Sequence, residues 1–473
     1  MAGRFLGLFK PLSRFMPEVG SPERKVGFNE KLFWTGIALA LYLIMVEVPL
    51  YGITATSLGE LTYLRVIFAS NRGSLMELGI GPIVTAGLIL QLLAGSGMIA
   101  CDFTNPEDRA AFTTASKVFS IIMTGVQASA YLIGGVYGDQ PPFTATAIFV
   151  QLLFAGIILM LLDEMLQKGW GFGSGISLFI LAGVTKGILW DSLAPTPPVA
   201  DGLSYGAFVA SFQTLSSGQS LWNVFLRSGN LPSLVGFITT ISVFIIVIYV
   251  EGVRVELPVS YARYRGFRGR YPIKLLYVSN LPVIFASALF ANVYFFSQLL
   301  WNSYNRDGTN FWLNLLGQFT VGESGQPQPS GGLVYFVTPP RTLQDMMVDP
   351  ARAAIYAGIL IAFCIVFSLT WLEVGGLGPR TVAKQLVDSG MQIPGFRRSG
   401  RPIELILKRY IPVVAVLGGF IVGLIASTAD FFGVFGTGMG VLLSVGIIYQ
   451  YYQILVQERA AEMYPAFRRV FGE

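Results

Sequence analysis

The chain has 473 residues, 53% of them hydrophobic and only 12% charged, with a mean hydropathy of +0.61 and a formal net charge of +5. A soluble domain carries about 25% charged residues, so a surface this apolar implies lipid as the solvent of one large membrane domain. Histidine is absent, which excludes imidazole bases, His metal ligands and His pH switches, and Cys101 and Cys364 are too few for a metal cluster or a disulfide framework.

Residues 1–17 alternate apolar and basic side chains at helical spacing. Phe5, Leu8, Phe9 and Leu12 share one face and Lys10 and Arg14 flank it, which predicts an in-plane interfacial helix within a segment spanning 1–31. The first long apolar run begins near Leu32 and is too long for the h-region of a signal peptide, so it reads as the first span and not as a cleaved leader. A bilayer core takes about 20 apolar residues per helix. Such runs lie near 32–51, 78–97, 118–137, 144–162, 175–193, 234–250, 275–300, 353–372, 411–428 and 440–455, which makes ten spans. Residues 52–77 and 302–350 are rich in turn formers and read as loops with short elements, and 196–233 reads as a second external loop.

With the N-terminus inside, 25 of the 32 Lys and Arg fall on inner segments, chiefly 1–31, 251–274 and 375–409. The positive-inside bias therefore places both termini in the cytosol, the tail being 458–473. Ten spans with both ends inside divide into halves of five, 32–195 and 234–457, and an odd number per half inserts the second half upside down. Matching punctuation supports that repeat. Gly79-Ile80-Gly81-Pro82 opens span 2 and Asn280-Leu281-Pro282 lies in span 7, while Gly171, Gly173 and Gly175 lead into span 5 and Gly436, Gly438 and Gly440 into span 10. Paired Gly- or Pro-marked segments in equivalent places are a mark of inverted-repeat transport proteins, with the pathway at the repeat interface.

The spans carry almost no ionisable residue at midplane. Glu47, Asp163, Glu164, Asp191 and Asp430 fall at or near span ends, and Lys186, the deepest cation, has Asp191 five residues on as a pairing partner. A midplane charge costs about 2.5–3.5 kcal/mol even on the insertion scale, a cost that ion-coupled transporters bear and this chain avoids. Neither a P-loop nor an H-E-x-x-H motif is present, which argues against an enzyme and against a cofactor or metal requirement. Beside the special glycines and prolines stand Ile80, Val84, Ile176, Ile180, Ile284 and Leu443. Branched aliphatics there suit a constriction that excludes ions and water by dewetting, although composition alone favours ordinary helix packing. Two inner loops concentrate arginine: Arg263, Arg265, Arg268 and Arg270 in one, Arg397, Arg398 and Arg401 in the other. Arginine interleaved with glycine can grip RNA phosphates, and the positive-inside rule explains the same charges without a partner.

The blocks ERKVGFNEKLFWTGIALALYL, SLMELGIGPIVTAGLILQLLAG, LLDEMLQKGWGFGSGISLFI, ELPVSYARYRGFRGRYPIKLLYVSNLPVIFASALFAN and GTGMGVLLSVGIIYQYY, in order from about residue 20 to 457, resemble the SecY family, its archaeal branch most. These are the large α-subunits of the Sec protein-conducting channel. The resemblance implies an all-α membrane protein of ten transmembrane helices, in two inverted five-helix halves around a central hourglass pore. It places the aliphatic ring of the waist on Ile80, Val84, Ile176, Ile180, Ile284 and Leu443, and a plug helix over about 61–73, including Leu61, Leu64, Val66, Ile67, Phe68 and Gly73. It sets a lateral gate between spans 2 and 7, lined also by spans 3 and 8, with Thr85, Gln127 and Asn292 as polar gate positions. It assigns the two arginine loops to ribosome docking. It implies small SecE-type (γ) and SecG- or β-type subunits completing a heterotrimer, with signal sequences, nascent chains and the lipid bilayer as further partners.

The function expected is passive conduction of unfolded polypeptide across the membrane and lateral release of apolar segments into lipid, driven by a partner such as the elongating ribosome. The cell membrane is the expected location, with the endoplasmic-reticulum membrane as the alternative. The rival readings are a secondary transporter, which needs a midplane charge or a polar substrate pocket, and a poreless membrane scaffold, in which the aliphatic residues only pack.

Overall fold

The structure is a computed structural model describing residues 11, 16–53, 73–95, 98–99, 101, 105–134, 137–138, 140, 141–196, 202–218, 220, 222–227, 231–261, 268–276, 281–305, 308–321, 327–340, 342–389, 391–392 and 400–463. The interfacial helix expected over 1–17 falls almost wholly outside them. Ten apolar helices carry the fold: α1 Phe28–Glu47, α2 Gly81–Gly95, α3 Pro106–Ile133, α4 Pro142–Met165, α5 Gly175–Leu193, α6 Leu234–Gly252, α7 Leu281–Tyr304, α8 Pro350–Val374, α9 Gly400–Phe431 and α10 Gly438–Met463. Each expected span overlaps one of them.

Nine of the ten are long and apolar enough to cross a membrane, and α2 is the exception. Its 15 residues reach only about 22 Å, short of a hydrocarbon core of about 30 Å. The span expected over 78–97 is therefore too long at its start. Gly73 and Gly79 turn the chain at positive φ (74° and 53°), and the buried Glu77 carboxylate accepts the Gly73 N–H. The helix begins only at Gly81-Pro82, and α7 likewise begins at Leu281-Pro282. Both prolines sit in a first turn, where a missing N–H costs nothing. They start these helices and do not interrupt them.

The two halves repeat one pattern of neighbours. In the first, α2 packs on α3, α3 on α4, α4 on α5, and α1 on α4 and α5. In the second, α7 packs on α8, α8 on α9, α9 on α10, and α6 on α9 and α10. The repeat extends to how the fifth helix of each half is held. Asp163, in the last turn of α4, accepts hydrogen bonds from the Ile176 N–H (3.1 Å) and the Ser174 hydroxyl (3.2 Å) at the start of α5. Asp430, near the end of α9, accepts from the Gly438 N–H (2.7 Å) at the start of α10 and from the Tyr356 hydroxyl (3.0 Å). A carboxylate suits a helix start because it faces unpaired N–H groups and the positive end of the dipole. Glycine is required at both crossings, since a Cβ on Gly175 would lie 2.7 Å from the Asp163 Cα and one on Gly438 2.4 Å from the Ala426 carbonyl oxygen.

Between α6 and α7 the chain forms an antiparallel hairpin, β1 Arg254–Tyr261 and β2 Arg268–Lys274, in a segment that reads from its residues as a loop. A short strand of the α8–α9 connection, β5 (Met391–Gln392), pairs with β1, giving the order β2-β1-β5. The strands β3 (Gln318–Val321) and β4 (Pro327–Gly331) make a second hairpin between α7 and α8. The helical bundle thus carries two small sheets at its ends. The largest apolar core runs through both halves, from Tyr42 and Phe179 to Tyr356 and Leu443.

Close backbone crossings set the tolerance of this packing. Gly438→Ala, and Gly236→Ala with its Cβ 2.4 Å from the Gly433 carbonyl oxygen, should each lower the thermal unfolding midpoint of the detergent-solubilised chain. Overpacking of this kind costs about 1–3 kcal/mol. Gly87→Ala meets nothing within 4 Å and should leave the midpoint unchanged or slightly higher.

Candidate functional site

Of the six aliphatic residues singled out in the sequence, Ile80, Val84, Ile180 and Leu443 belong to the core that joins the halves, and Ile176 and Ile284 pack against it. Ile80 and Ile180 are 1% exposed, Leu443 0% and Val84 8%, while Ile176 and Ile284 are half-buried. Each lies within two turns of a helix start or just before one, on α2, α5, α7 and α10. Of the plug positions, Leu61, Leu64, Val66, Ile67 and Phe68 lie outside the described residues. Gly73 is described, and it returns the chain to where it left: the Leu50 N–H bonds the Gly73 carbonyl (2.8 Å) and the Leu75 N–H the Val48 carbonyl (2.9 Å). Residues 48–50 and 73–75 therefore lie side by side.

The halves meet along two seams of different character. At the first, α5 packs against α10. There the Tyr451 hydroxyl on α10 donates to the Ser174 carbonyl (2.8 Å) before α5, and Asp191 near the end of α5 accepts from the Gly436 N–H (3.2 Å) before α10. Each fifth helix thus grips the segment that leads into the other. Lys186 does not pair with Asp191. It pairs with Glu47 on α1, since Asp191 is turned toward Gly436 and Tyr205.

At the second seam α2 faces α7 and α8. Here the three polar positions meet on one side chain. The Asn292 amide on α7 donates to the Thr85 hydroxyl on α2 (3.0 Å) and to its own helix at the Ala288 carbonyl (2.7 Å). Its carbonyl oxygen accepts from the Gln127 amide on α3 at 3.5 Å. Thr85 and Gln127 are buried. Farther along, Tyr131 stacks on Phe295 (4.7 Å), Leu299 lies over Gly134, and the Asn302 amide reaches the Gly134 carbonyl at 3.4 Å. A few bonds of ordinary strength, most of them between side chains, thus join α3 to α7.

Of the basic positions, Arg268, Arg270 and Arg401 are described, and they lie on two connections that share a sheet. Arg268 and Arg270 lie on β2, with Arg270 exposed and bonded to Glu256 (2.6 Å), and Arg401 is exposed at the start of α9. Arg263, Arg265, Arg397 and Arg398 fall outside the described residues. The pairing of Ser260 with Gln392 and of Tyr261 with Met391 joins the two arginine-bearing connections into one sheet. Sequence missed this, because a two-residue strand carries no periodic signal. Glu164, on α4, takes Lys117 (2.5 Å) and Lys168 (2.8 Å), and Lys168 also bonds Glu18 (2.6 Å). The Trp170 indole donates to the Gly20 carbonyl (2.8 Å). Residues 18–20 are strapped across the turn that follows α4.

Comparison with known proteins gives a consistent answer. The family model SecY matches residues 74–452, and the model for the plug domain of Sec61p matches residues 41–73. A solved structure of a protein conducting channel is 38% identical, covers 97% of this chain and 98% of its own, and superposes with a TM-score of 0.81. Sec61 from the canine ribosome-channel complex of the endoplasmic reticulum is 37% identical over 97% of this chain and 98% of its own, with a TM-score of 0.79. The yeast Ssh1 complex bound to the 80S ribosome is 26% identical over 94% and 93%, with a TM-score of 0.77.

The strap at residues 18–20 makes a test. The Lys168 hydrogen bond, and then the charges of Lys117 and Lys168, hold the Glu18 carboxyl below its ordinary value of 4.5. A carboxyl lowered by folding contributes above its unfolded value, and the contribution is lost as pH falls through the folded value. At neutral pH, Glu18→Gln should therefore speed tryptic cleavage after Arg24, and Glu23→Gln should not. Equal cleavage rates would remove Glu18 from the strap.

Proposed function

The chain belongs to the SecY family as a pore subunit of a protein translocation channel, and we propose how its own residues seal that pore and open it sideways. The six aliphatic residues form the waist. Water and ions are excluded there because apolar walls at close range leave water no hydrogen-bond partners. The burial of Ile80, Val84, Ile180 and Leu443 supports a closed waist. The segment over about 61–73 acts as the plug of that waist, a reading supported by the match of residues 41–73 to the plug domain of Sec61p.

The observation that carries the reading is the meeting of Thr85, Gln127 and Asn292 between helices of opposite halves. Polar groups in hydrocarbon seek partners, and such bonds are worth about 0.6–1.7 kcal/mol. They are strong enough to favour the closed seam and weak enough to break. An apolar segment of a passing chain takes the place of the seam contacts and leaves into lipid when its own transfer outweighs them. No residue is asked to do covalent chemistry.

We place the two arginine-bearing connections in the cytosol on the distribution of Lys and Arg, with both termini there. Arg268, Arg270 and Arg401, together with Arg263, Arg265, Arg397 and Arg398, dock the ribosome through rRNA phosphates. The ribosome-bound canine and yeast neighbours support that partner. Small SecE-type (γ) and SecG- or β-type subunits complete the channel on the strength of the resemblance. Signal sequences and nascent chains are the cargo, and the cell membrane is the location, the endoplasmic reticulum being the alternative.

Two measurements test the reading. Ile80→Asn with Ile284→Asn should wet the waist and raise ion leak in planar bilayers, and unchanged conductance would remove these residues from the seal. Asn292→Leu strips the seam of its shared partner and removes a group that lipid rejects, and both effects favour opening. In an insertion series with graded leucine content, the threshold should fall by about one to three leucines. A threshold that stays put in a folded, abundant variant would leave Asn292 as a packing residue.

A further inference from the structure

The connection between α7 and α8, residues 305–349, is the largest part of the chain that sealing, gating and docking leave without a task. It is built against both helices. On the α7 side, Tyr294 and Trp301 close around Phe319 of β3, at 5.7 and 5.6 Å between ring centroids, with Val334 buried beside them. Gly317 presses so near α7 that a Cβ there would lie 2.1 Å from the Ser297 hydroxyl. On the α8 side, Arg352 in the first turn lays its guanidinium over the Tyr335 ring at 4.1 Å. It also donates to the Tyr335 carbonyl (3.1 Å) and the Thr338 carbonyl (3.3 Å). Asp349, which caps α8, accepts from the Tyr335 hydroxyl at 2.9 Å. The short helix Gly332–Val337 is therefore a wedge, with Val334 turned to α7 and Tyr335 held by α8.

We infer that this connection is a splint that makes α7 and α8 leave the seam as one body, with Arg352 its positioning residue on α8. The inference rests on the lateral seam proposed above. In that seam α7 is tied to α2 and α3 through Asn292, while α8 packs on α2 separately. When α7 and α8 move together, both sets of contacts must break in one event. When they move separately, α7 can depart after breaking only its own. The splint therefore raises the hydrophobicity a segment must have before the seam yields. It also directs opening to the α2 side and not to the crack between α7 and α8. A planar cation stacked on an aromatic face and bonded to two carbonyls fixes an angle between elements, which a flexible ammonium does not.

The experiment compares Arg352→Ala, Asn292→Leu and the double variant in the assembled channel, in the insertion series with graded leucine content. Arg352→Ala should raise insertion of a borderline segment about two- to fivefold, the worth of one cation–π contact. In the double variant the effects should multiply, because loss of the splint spares the contacts of α8 on α2 while Asn292→Leu weakens those of α7. An Arg352→Ala channel of normal abundance and unchanged threshold overturns the splint, whatever Asn292→Leu does. A shift with Arg352→Ala alone supports the splint and removes Asn292 from the seam. A double variant that inserts no better than Asn292→Leu alone also overturns it, since Arg352 would then act only through the bonds of Asn292. Should Arg352→Ala fail to fold, Arg352→Lys decides: it keeps the charge and loses the stacked plane, and a smaller shift in the same direction is expected. Tyr335→Phe keeps the ring and should match the wild type more nearly than either.

Discussion

A polar group that faces hydrocarbon without a partner is costly, and the unequal ways in which the two halves meet that constraint organise the whole molecule. Along the α5–α10 seam the partners include backbone. Tyr451 takes a carbonyl before α5, Asp191 takes an N–H before α10, and the contacts are exchanged between the halves. Along the α2–α7 seam the main polar partners, Thr85 and Gln127, converge on one side chain, Asn292. At the first seam two separate bonds, one offered by each half, must both be given up. At the second, rotation of the Asn292 side chain releases Thr85 and Gln127 together. One edge is therefore held and the other can part, and a channel that must open toward lipid needs that asymmetry.

The inverted repeat supplies the held edge economically. Asp163 and Asp430 occupy equivalent places and pin the fifth helix of each half, with Gly175 and Gly438 allowing the crossing. The carboxylates noted in the sequence only as acids near span ends prove to be structural caps. That explains how ionisable groups persist at the ends of apolar helices without a transport role. The same logic holds for Arg227, buried in the α5–α6 connection, whose guanidinium is spent on the carbonyls of Ser204, Tyr205 and Pro232.

The ten spans were legible because apolar runs of the right length have few other uses. The polar seam positions were legible only through resemblance, since a lone Thr, Gln or Asn in a membrane helix does not say which helix it will meet. The shortness of α2 escaped notice because residues 78–80 are as apolar as the helix they precede, and what stops the helix is the positive φ of Gly79 and the buried Glu77. Sequence distance offers Asp191 as the partner of Lys186, whereas its partner Glu47 comes from another helix. The β2-β1-β5 sheet was invisible because its third strand is two residues long and is fixed by a long-range partner. In each case the missing information was tertiary.

The central claim is that the α2–α7 seam parts during lateral release while the rest of the bundle stays shut. A channel with Thr85→Cys and Asn292→Cys, with Cys101 and Cys364 replaced by Ala, can be locked across the seam by a short thiol cross-linker and released by a cleavable one. Insertion of a strongly apolar test segment into lipid should stop in the locked channel and return on cleavage. A locked channel that releases the segment as well as the cleaved one would contradict the account.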